Sequence, residues 1–456
     1  MDTIIDTIIA QATPIGKGGI GILRISGVNV INVAKIILGL IPKPRYANYL
    51  NFYDLHGVII DRGIAIFFPK PHSFTGEDIL ELHCHGGQVV INLLLKTILN
   101  ISDIRIANPG EFTERAFINN KIDLIQAEAI IDLINANTEQ AARSAINSLH
   151  GMLSNIINDC VKQLITLRAY IESRINFSET EVSVFDAEYF SVQLKKLMLT
   201  IDSLIKDAGQ SGILRNGVKI VIFGEPNVGK SSLLNALSGN NSAIITDIAG
   251  TTRDVLHEYI YIDDIPCHIV DTAGLHDTND IIENIGIQKA VQEINTADYL
   301  LYMVDSVHPV KKIDPLRFLS PFINQITETI NIIIVRNKID LTNESIGITK
   351  IHNYSIINIS VIQQNGLDLL RNFLKETIKL TYSTETTFLA RQRHITLLKS
   401  TSMHLHHAYE LLCSMNMIEL IAEELYLAQQ QLNKITGTFT SDDLLKHIFS
   451  EFCIGK

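Results

Sequence analysis

Residues 218–237, VKIVIFGEPNVGKSSLLNAL, constrain the fold more than any other part of the chain. The stretch runs from an apolar, β-branched segment through Gly224-x-x-x-x-Gly229-Lys230-Ser231 into an amphipathic helical pattern. This order of strand, glycine-rich loop and helix predicts a phosphate-binding loop in an α/β domain. Its backbone N–H groups would face phosphates, while Lys230 reaches the β and γ oxygens and the Ser231 hydroxyl binds Mg²⁺. The sequence therefore predicts a nucleotide-binding domain.

Two later apolar segments end on polar residues suited to a guanine nucleotide. HIVDTAGL ends on Asp271 to Gly274, where the carboxylate suits a metal held through water and the Gly274 N–H suits a γ-phosphate. IIIVRNKIDL ends on Asn337, Lys338 and Asp340. A carboxylate accepts both N–H donors of the guanine edge, which adenine does not offer. The predicted nucleotide is therefore GTP.

The order of these motifs resembles the translation-factor-related GTPases. TDIAGTTRD stands between the phosphate loop and DTAG; Thr251 or Thr252 is the switch I metal ligand, and the resemblance favours Thr252. The fifth motif departs from the pattern, because Ser360-Val361-Ile362 stands where the family has Ser-Ala-Lys or Ser-Ala-Arg. The predicted GTP-binding residues are Asn227, Val228, Gly229, Lys230, Ser231, Ser232, Thr246, Asp247, Ile248, Ala249, Gly250, Thr251, Thr252, Asp271, Thr272, Ala273, Gly274, Asn337, Lys338, Asp340, Ser360 and Val361.

The residue after DTAG is Leu275, where small signalling GTPases carry the glutamine that orients the attacking water. A leucine side chain cannot hydrogen-bond to water, so another group must position it. Asn227 and the backbone of TDIAGT can together hold a monovalent cation against the phosphates. Such a cation would supply the positive charge that an arginine finger supplies in other GTPases. The sequence thus favours hydrolysis assisted by K⁺.

Composition narrows the classes of protein that fit. The 456 residues are enough for about three domains. A net charge of −11 disfavours a protein that coats nucleic acid by charge alone. The five cysteines are scattered, so we expect a reducing compartment and no disulfide framework. With no signal-peptide pattern and no run of 18 apolar residues, we expect a cytoplasmic protein without a membrane span.

Hydrophobic periodicity divides the chain into three parts. Alternating apolar runs and a helix-like VVINLLLKTILN predict an α+β domain at residues 1–118. Helical stripes at 119–213 and 383–456 flank the 214–382 GTPase segment, which predicts a discontinuous α-helical domain with an inserted α/β P-loop (Ras-like) domain. Thr440 with Asp443 predicts the start of a last helix. The stripes consist of Ile122, Ile125, Ala129, Leu133 and Ala136 in the first block and Ile421, Leu425, Ala428 and Leu432 in the second.

Further segments extend the resemblance to one family. GGIGILRISG, FTGEDILELHCHGG, NPGEFTERAFINNKIDLIQAEAI, FTSDDLL and the terminal FCIGK, with the GTPase motifs, resemble the MnmE (TrmE) family of bacterial tRNA modification GTPases over essentially the whole chain. The resemblance implies a homodimer with an N-terminal tetrahydrofolate-binding domain and a K⁺-dependent G domain. It also implies a heterotetramer with an MnmG-like flavoprotein, which carries the FAD. That complex would place a carboxymethylaminomethyl-type group on carbon 5 of the tRNA wobble uridine, with a 5-formyl or 5,10-methylene tetrahydrofolate as one-carbon donor.

The same resemblance implies roles for single residues. Glu283, in NDIIENIGI, corresponds to the glutamate that orients the attacking water, and Lys230 is the second catalytic residue. Cys453 is the family's C-terminal cysteine, a candidate functional thiol whose chemistry the sequence does not define. The implied ligands are Ser231 and Thr252 for Mg²⁺, Asn227, Thr246, Ile248 and Thr251 for K⁺, and Arg24, Glu81, Lys121 and the terminal Lys456 for folate.

Three short motifs suggest other functions and fail on context. GKGGIG matches the dinucleotide-binding pattern but follows a turn at Pro14 and leads into a strand-like segment instead of a helix. HCHGG places His83, Cys84 and His85 together, but neighbours on a strand point to opposite faces, so a loop or a strand end is favoured over a zinc site. FCIGK has the length of a prenylation signal, but its last three residues do not fit one.

A second class of function also fits the GTPase motifs. The chain would then be a regulatory or ribosome-assembly GTPase whose other domains dock to RNA. Its acidic balance disfavours direct docking to RNA, and the terminal FCIGK favours the modification enzyme. A folate-binding measurement separates the two classes.

Overall fold

The computed structural model describes residues 6–176, 186–238, 256–262, 265–271, 291–309, 314–315, 331–351, 354–381, 388–414, 418–437, 448 and 455. These residues belong to two compact units. The first unit draws on the ranges 1–135, 145–202 and 396–456, and the second on 136–144 and 203–395. The boundaries predicted at residues 118, 213 and 382 stay predictions.

The first unit contains a six-stranded sheet in the order β3-β4-β5-β2-β1-β6. All neighbours in it are antiparallel except β1 and β6. The strands are β1 (Thr7–Gln11), β2 (Ile20–Ser26), β3 (Asn48–Tyr53), β4 (Ile59–Phe68), β5 (Ile79–His85) and β6 (Ile104–Ile106).

Alternation along the strands gives this sheet two different faces. Leu23 and Ile25 of β2 and Leu80 and Leu82 of β5 join the core formed with helices α1 (Val30–Leu38) and α2 (Gln88–Leu99). Because strand side chains alternate, the residues between them lie on the opposite face. That second face carries the polar residues of β2 and β5, which include Arg24, Ser26, Glu81 and His83.

Helices from both ends of the sequence pack together in the first unit. The helices wholly within this unit are α3 (Glu111–Ile118), α4 (Leu124–Ile134), α6 (Met152–Asn176) and α12 (Ile418–Thr436). Part of each of three others belongs to it: α5 (Glu139–Leu149), α7 (Ala187–Asn216) and α11 (Gln392–Ser414). Helix α12 packs against α6, where Arg168 Nη1 donates to Gln429 Oε1 at 2.6 Å. Ile448 packs with Leu124, Ala127 and Ile131 of α4. The helical domain is therefore discontinuous in sequence, as predicted.

The helical stripes agree with the structure in the second block and partly in the first. Ile421, Leu425, Ala428 and Leu432 are all buried, which confirms them as core. Helix α4 begins only at Leu124, so the predicted stripe was wrong to include Ile122 and Ala136 in one helix. Asp123 is the N-cap at which the helix begins. Its side chain accepts from the Gln126 N–H, and the Gln126 side chain accepts from the Asp123 N–H, which forms a capping box. The second predicted cap, Thr440 with Asp443, lies outside the described residues.

The second unit contains a seven-stranded sheet in the order β12-β13-β11-β10-β7-β9-β8. The five central strands run parallel, and β8 and β12 run antiparallel to their neighbours. The central parallel strands consist of near-continuous apolar runs, because both faces of the sheet are buried there. The elements are β7 (Val218–Gly224), β8 (Leu256–Ile262), β9 (Ile265–Asp271), β10 (Tyr299–Asp305), β11 (Asn331–Asn337), β12 (Gly347–Ile351), β13 (Tyr354–Asn358), α8 (Lys230–Ser238), α9 (Ile339–Thr342) and α10 (Leu367–Thr381).

This architecture confirms the predicted fold class. Leu233, Leu234 and Leu237, the apolar positions of the helix after the phosphate loop, are buried against the sheet. Within the described part of the chain, no helix is both long enough and apolar enough to cross a membrane.

A buried arginine joins α3 to the first sheet. The Arg115 side chain is 1% exposed, and its Nη2 lies 2.9 Å from Glu111 Oε1 and 2.7 Å from Asp6 Oδ1. Its Nη1 lies 3.2 Å from Glu77 Oε2. Burial alone would raise the pKa of Glu111, but hydrogen bonds from Arg105, Asn108 and Arg115 outweigh it, so the pKa is lowered. The ion pairs therefore stabilise the charged carboxylates in the folded chain.

Replacing Arg115 with methionine is expected to destabilise the first unit by about 3 kcal/mol, because Glu77 loses its ion pair with Arg115 and the buried Glu111 keeps the more exposed Arg105 as its cation. Urea denaturation measures the free energy of unfolding, and native-state hydrogen exchange in β1 and α3 shows whether the loss lies in this part of the unit. The exposed Arg143→Met variant, which breaks the surface pair with Glu139, serves as control and is expected to change stability by less than about 1 kcal/mol.

The pH dependence of the same cluster has a definite sign. Since the folded pKa of Glu111 is lowered, its contribution is fully present above the ordinary value of 4.5 and is lost as the pH falls through the lower folded value. The native chain should therefore lose stability below about pH 4.5 more steeply than Arg115→Met. Equal acid sensitivity in the two proteins would contradict this role.

Candidate functional site

The carboxyl ends of the parallel strands bring the phosphate loop and the predicted guanine motif to one edge of the second sheet. Register places Gly224 beside Met303 and Asp305 beside Asn337. Gly224 has φ +147°, and a Cβ there would collide with the Met303 carbonyl oxygen. Only glycine fits that position, because L side chains rarely adopt this conformation.

Lys230 begins helix α8 and points back into the phosphate loop. Its Nζ donates to the carbonyl oxygens of Gly224 at 2.9 Å and Glu225 at 3.0 Å. The side chain is buried, so the loop holds an ammonium group where phosphates would sit. Ser231 follows in the first turn of the helix, which suits its hydroxyl to a metal beside the phosphates. These residues fit GTP with Mg²⁺.

Asn337 connects the phosphate loop to the fifth motif. Its Nδ2 donates to the Val228 carbonyl oxygen at 2.9 Å, and its Oδ1 accepts from the Val361 N–H at 3.0 Å. A Cβ on Gly229, where φ is +101°, would lie 2.6 Å from that Nδ2. Gly229 is therefore glycine because the asparagine carboxamide approaches the loop backbone closely. The Val361 contact uses a backbone N–H, which any residue except proline can supply. The contact is therefore kept even though Val361 and Ile362 replace the alanine and lysine of the usual Ser-Ala-Lys motif.

Asp340 and Lys338 are each held by a neighbour at this edge. Ser360 Oγ donates to Asp340 Oδ1 at 2.5 Å. Lys338 has φ +65°, and its Nζ lies 2.8 Å from Asp305 Oδ2. Burial alone would raise the pKa of Asp305, but hydrogen bonds from Lys338 and the Val307 N–H outweigh it and the pKa is lowered. The carboxylate thus stays ionised and fixes the lysine.

Two residues at this edge of the second sheet, Asp305 and Ser306, were not identified from the sequence. Ser306 Oγ donates to the Lys338 carbonyl oxygen at 2.7 Å, and its N–H donates to the Asn337 carbonyl oxygen at 2.8 Å. The available signal was the polar Asp-Ser pair directly after the apolar run YLLYMV, since carboxyl ends of parallel strands share one edge. Nothing in the local sequence showed that this run lies beside β11.

Part of the predicted GTP site lies outside the described residues. Asp271 ends β9 at the same edge, in register with Ile222. Asn227 has φ +60° and lies in the phosphate loop, where its predicted role toward K⁺ stays a prediction. The predicted residues that the structure does not describe are Thr246, Asp247, Ile248, Ala249, Gly250, Thr251, Thr252, Thr272, Ala273, Gly274, Glu283, Cys453 and Lys456.

The predicted folate residues Arg24 and Glu81 face each other on adjacent strands. Arg24 Nε donates to Glu81 Oε1 at 2.9 Å, and both side chains are partly buried. The rings of Phe74 and Phe112 lie 5.8 Å from the guanidinium carbon. His83, two residues along the strand, places Nε2 3.4 Å from Glu81 Oε2. Phe112 is fully buried, whereas Phe74 is 37% exposed. The arrangement therefore offers a carboxylate and a cation beside one exposed aromatic ring, which fits a flat heterocycle with N–H donors.

Segment 71–76 contacts both Arg24, through Phe74, and Lys121. Lys121 Nζ donates to the Pro71 carbonyl oxygen at 3.0 Å, and a Cβ on Gly76 would lie 3.4 Å from Lys121 Cδ. Gly455 packs against the Gln11 carbonyl oxygen at the end of β1, one residue from the partner of Arg24 in the sheet. The residue preceding Lys456 therefore lies against the same sheet.

The HCHGG segment ends strand β5, as expected. Burial, with the charge of Asp61, raises the pKa of Cys84 to about 11, so this thiol is inert near neutral pH. His85 is exposed, and its Nδ1 lies 2.7 Å from Asp61 Oδ1. Among the residues described, no group of three or more His, Cys, Asp and Glu side chains could hold a metal ion.

Comparison with known proteins matches both units of the chain. The family model "MnmE helical domain" matches residues 124–453, and the model "GTP-binding protein TrmE N-terminus" matches residues 7–121. The chain is 52% identical over 451 residues to a protein of Pectobacterium carotovorum subsp. carotovorum named tRNA modification GTPase MnmE, covering 99% of each. A protein of Yersinia pestis with the same name is also 52% identical over 99% of each chain.

Two solved structures that resemble this chain each match less than half of it. An Aquifex aeolicus Era variant bound to GDP·AlF4⁻ is 24% identical, with a TM-score of 0.28 over 41% of this chain and 67% of that one. The G domain of the T. maritima FeoB iron transporter is 23% identical, with a TM-score of 0.26 over 35% of this chain and 97% of that one.

Replacing Asp340 with asparagine is expected to lower GTP affinity by about 10²–10⁴-fold, because the amide cannot accept both N–H donors of guanine. Xanthosine triphosphate should bind better to this variant than to the native chain, since its second oxo group accepts the new N–H donor. Fluorescent-nucleotide titration measures both affinities. Asp368→Asn, at a side chain that is 95% exposed on α10, is the control, and unchanged GTP affinity in Asp340→Asn would reject the guanine assignment.

Proposed function

Because this chain belongs to the MnmE family of tRNA modification GTPases, and is therefore a GTP hydrolase, we propose that its GTP hydrolysis requires K⁺ and drives a folate-dependent modification of the tRNA wobble uridine. The modification is a carboxymethylaminomethyl-type group at carbon 5, made together with an MnmG-like flavoprotein that carries FAD. The observation that carries the GTP-binding part of this proposal is the edge where Asn337 bonds both the phosphate loop and the fifth motif.

The proposed hydrolysis divides the work among residues of the G domain. Lys230 neutralises the β and γ oxygens, and Asp340 selects guanine. Ser231 and Thr252 hold Mg²⁺, and Asn227 with Thr246, Ile248 and Thr251 holds K⁺. When bound, these cations would supply positive charge where negative charge develops in the transition state. Glu283 positions the attacking water, a role that Leu275 cannot fill because its side chain forms no hydrogen bond.

The proposed folate site uses Arg24, Glu81, Lys121 and Lys456. The ion pair of Arg24 with Glu81 and the neighbouring exposed ring of Phe74 support this assignment. Glu81 would accept N–H donors of the pterin ring, and the two lysines would meet the carboxylates of the glutamate tail. Gly455, packed at the end of β1, supports a position for Lys456 near the same sheet.

The proposed complex contains two copies of this chain and the flavoprotein as a heterotetramer, with tRNA as its substrate. The net charge of −11 supports an arrangement in which other surfaces supply much of the positive charge for tRNA. A cytoplasmic location stays a prediction, as does a role for the Cys453 thiol. Under the other candidate function, ribosome assembly, the polar sheet face around Arg24 would have no folate to bind.

GTP turnover in K⁺ is expected to exceed turnover in Na⁺ by about 10²-fold at equal ionic strength, because the smaller Na⁺ does not match a site built for K⁺. Glu283→Ala should lower kcat by at least about 10²-fold in K⁺ while GTP affinity holds, since the variant loses its water-positioning carboxylate. Steady-state phosphate release measures both. Turnover indifferent to the cation and to Glu283 would reject this mechanism.

Deleting Lys456 is expected to weaken binding of 5-formyltetrahydrofolate by about tenfold or more, because one charge-assisted contact is lost. GTP affinity should not change. Calorimetric titration of both ligands measures the two effects, and Lys162→Ala, an exposed lysine on α6, controls for the loss of one positive charge. Unchanged folate affinity in the deletion variant would exclude Lys456 from the pocket, and no folate binding by the native chain would favour ribosome assembly.

A further inference from the structure

The side chain of Arg336 is buried at the guanine end of the second unit, and no GTPase motif assigns it a role. It is the last residue but one of β11, directly before Asn337, and its side chain is 3% exposed. A buried guanidinium is costly unless its donors are satisfied by partners in good geometry. Its contacts therefore indicate what the position requires.

The guanidinium donates to four acceptors. Nε and Nη2 donate to the two carboxylate oxygens of Glu344 at 2.8 Å and 2.7 Å. Nη1 donates to the His308 carbonyl oxygen at 2.5 Å, and Nη2 also donates to the Ser306 carbonyl oxygen. The paired bonds to one carboxylate fix the guanidinium plane as well as its position. Hydrogen bonding by Arg336 also lowers the pKa of Glu344.

The segments held by Arg336 are the ones that hold the guanine motif. Ser306 bonds the carbonyl oxygens of Asn337 and Lys338 through its N–H and its Oγ. Asp305 bonds the Lys338 ammonium. The Arg336 carbonyl oxygen also accepts the Ile359 N–H at 2.9 Å, one residue before Ser360, whose side chain bonds Asp340. The Arg336 side chain thus holds the Ser306 support, and its backbone carbonyl holds the Ser360 support.

The backbone around the motif needs such a support. Lys338 and Asn343, at the two ends of the short helix α9, both have positive φ, of +65° and +51°. L residues adopt this conformation at a cost, so surrounding contacts must maintain it. Glu344 follows directly and closes the segment back onto Arg336. His308, whose carbonyl Arg336 binds, places Nε2 3.6 Å from Glu225 Oε2 in the phosphate loop.

We propose that Arg336 and Glu344 form a positioning clamp that sets the guanine selectivity of this GTPase, by holding Asn337, Lys338 and Asp340 in register with the base. Neither residue touches the nucleotide. This inference rests on the proposed assignment of the three motif residues to guanine. Without the clamp, the Asp340 carboxylate no longer lies in register with the guanine amino group. The hydrogen bonds to the base edge then weaken more than the contacts to the phosphates.

Binding of fluorescent GDP and IDP to Arg336→Met and Glu344→Gln tests the clamp, because inosine lacks the exocyclic amino group that Asp340 binds. Arg336→Met should bind GDP about tenfold or more weakly and IDP much less so, and the ratio of GDP to IDP affinity should fall at least about threefold. The kcat at saturating GTP should stay within about twofold, since the clamp does not contact the phosphates.

Glu344→Gln keeps the test decisive if Arg336→Met does not fold, because this side chain is one-third exposed and the amide keeps its size. Its affinity ratio should fall in the same direction by a smaller factor. The control is Lys219→Met, which breaks the pair with Glu293 near the amino end of β7, away from the site. It should leave the ratio unchanged.

The outcomes distinguish the clamp from the guanine assignment. Unchanged GDP and IDP affinities in Arg336→Met and Glu344→Gln, or equal losses for both nucleotides, would overturn the clamp. If Asp340→Asn reduces GDP affinity in the same assay while the clamp variants do not, the assignment stands and only the clamp is rejected. Full GDP affinity in Asp340→Asn would overturn both.

Discussion

The bridging carboxamide of Asn337 is the interaction on which the second unit's site depends. It donates to the Val228 carbonyl oxygen in the phosphate loop and accepts from the Val361 N–H in the fifth motif, so it sets the distance between the phosphate end and the base end. This is possible because parallel strands deliver their carboxyl ends to one edge of the sheet. The close approach at Gly229 follows from the same contact, because a Cβ there would meet the carboxamide.

The two units position their charged and polar side chains in different ways. In the second unit, strand ends project short polar side chains from loops onto one edge. In the first unit, period-two alternation along β2 and β5 places Arg24, Glu81 and His83 on the face opposite the apolar core. A flat polar face bordered by the exposed ring of Phe74 suits a ring system, whereas an edge of loops suits an elongated nucleotide. Family membership makes the second unit a GTPase, and the polar face of the first is the basis of the folate proposal.

Sequence reasoning succeeded where the constraint is local. The phosphate loop was predictable because Gly224 and Gly229 require backbone conformations and close approaches that other residues do not tolerate. The stripe on α12 was predictable because burial follows a period of three to four residues. The stripe through Ile122 failed because a local competitor, the Asp123 capping box, starts the helix two residues later. Asp305, Ser306 and Arg336 were not identified, since most of their partners lie in loops that follow β10 and β11.

The sequence by itself determined the order of the GTPase motifs, the positions of the obligatory glycines, the apolar faces of the helices and the family to which the chain belongs. Only the tertiary structure decided which side chains meet: Arg336 with Glu344, Lys338 with Asp305, Arg24 with Glu81, and Arg115 with its carboxylates. The physical reason is that backbone conformation and burial period depend on neighbours along the chain, whereas these ion pairs, except the one-turn contact of Arg115 with Glu111, depend on strand order, register and chain reversals.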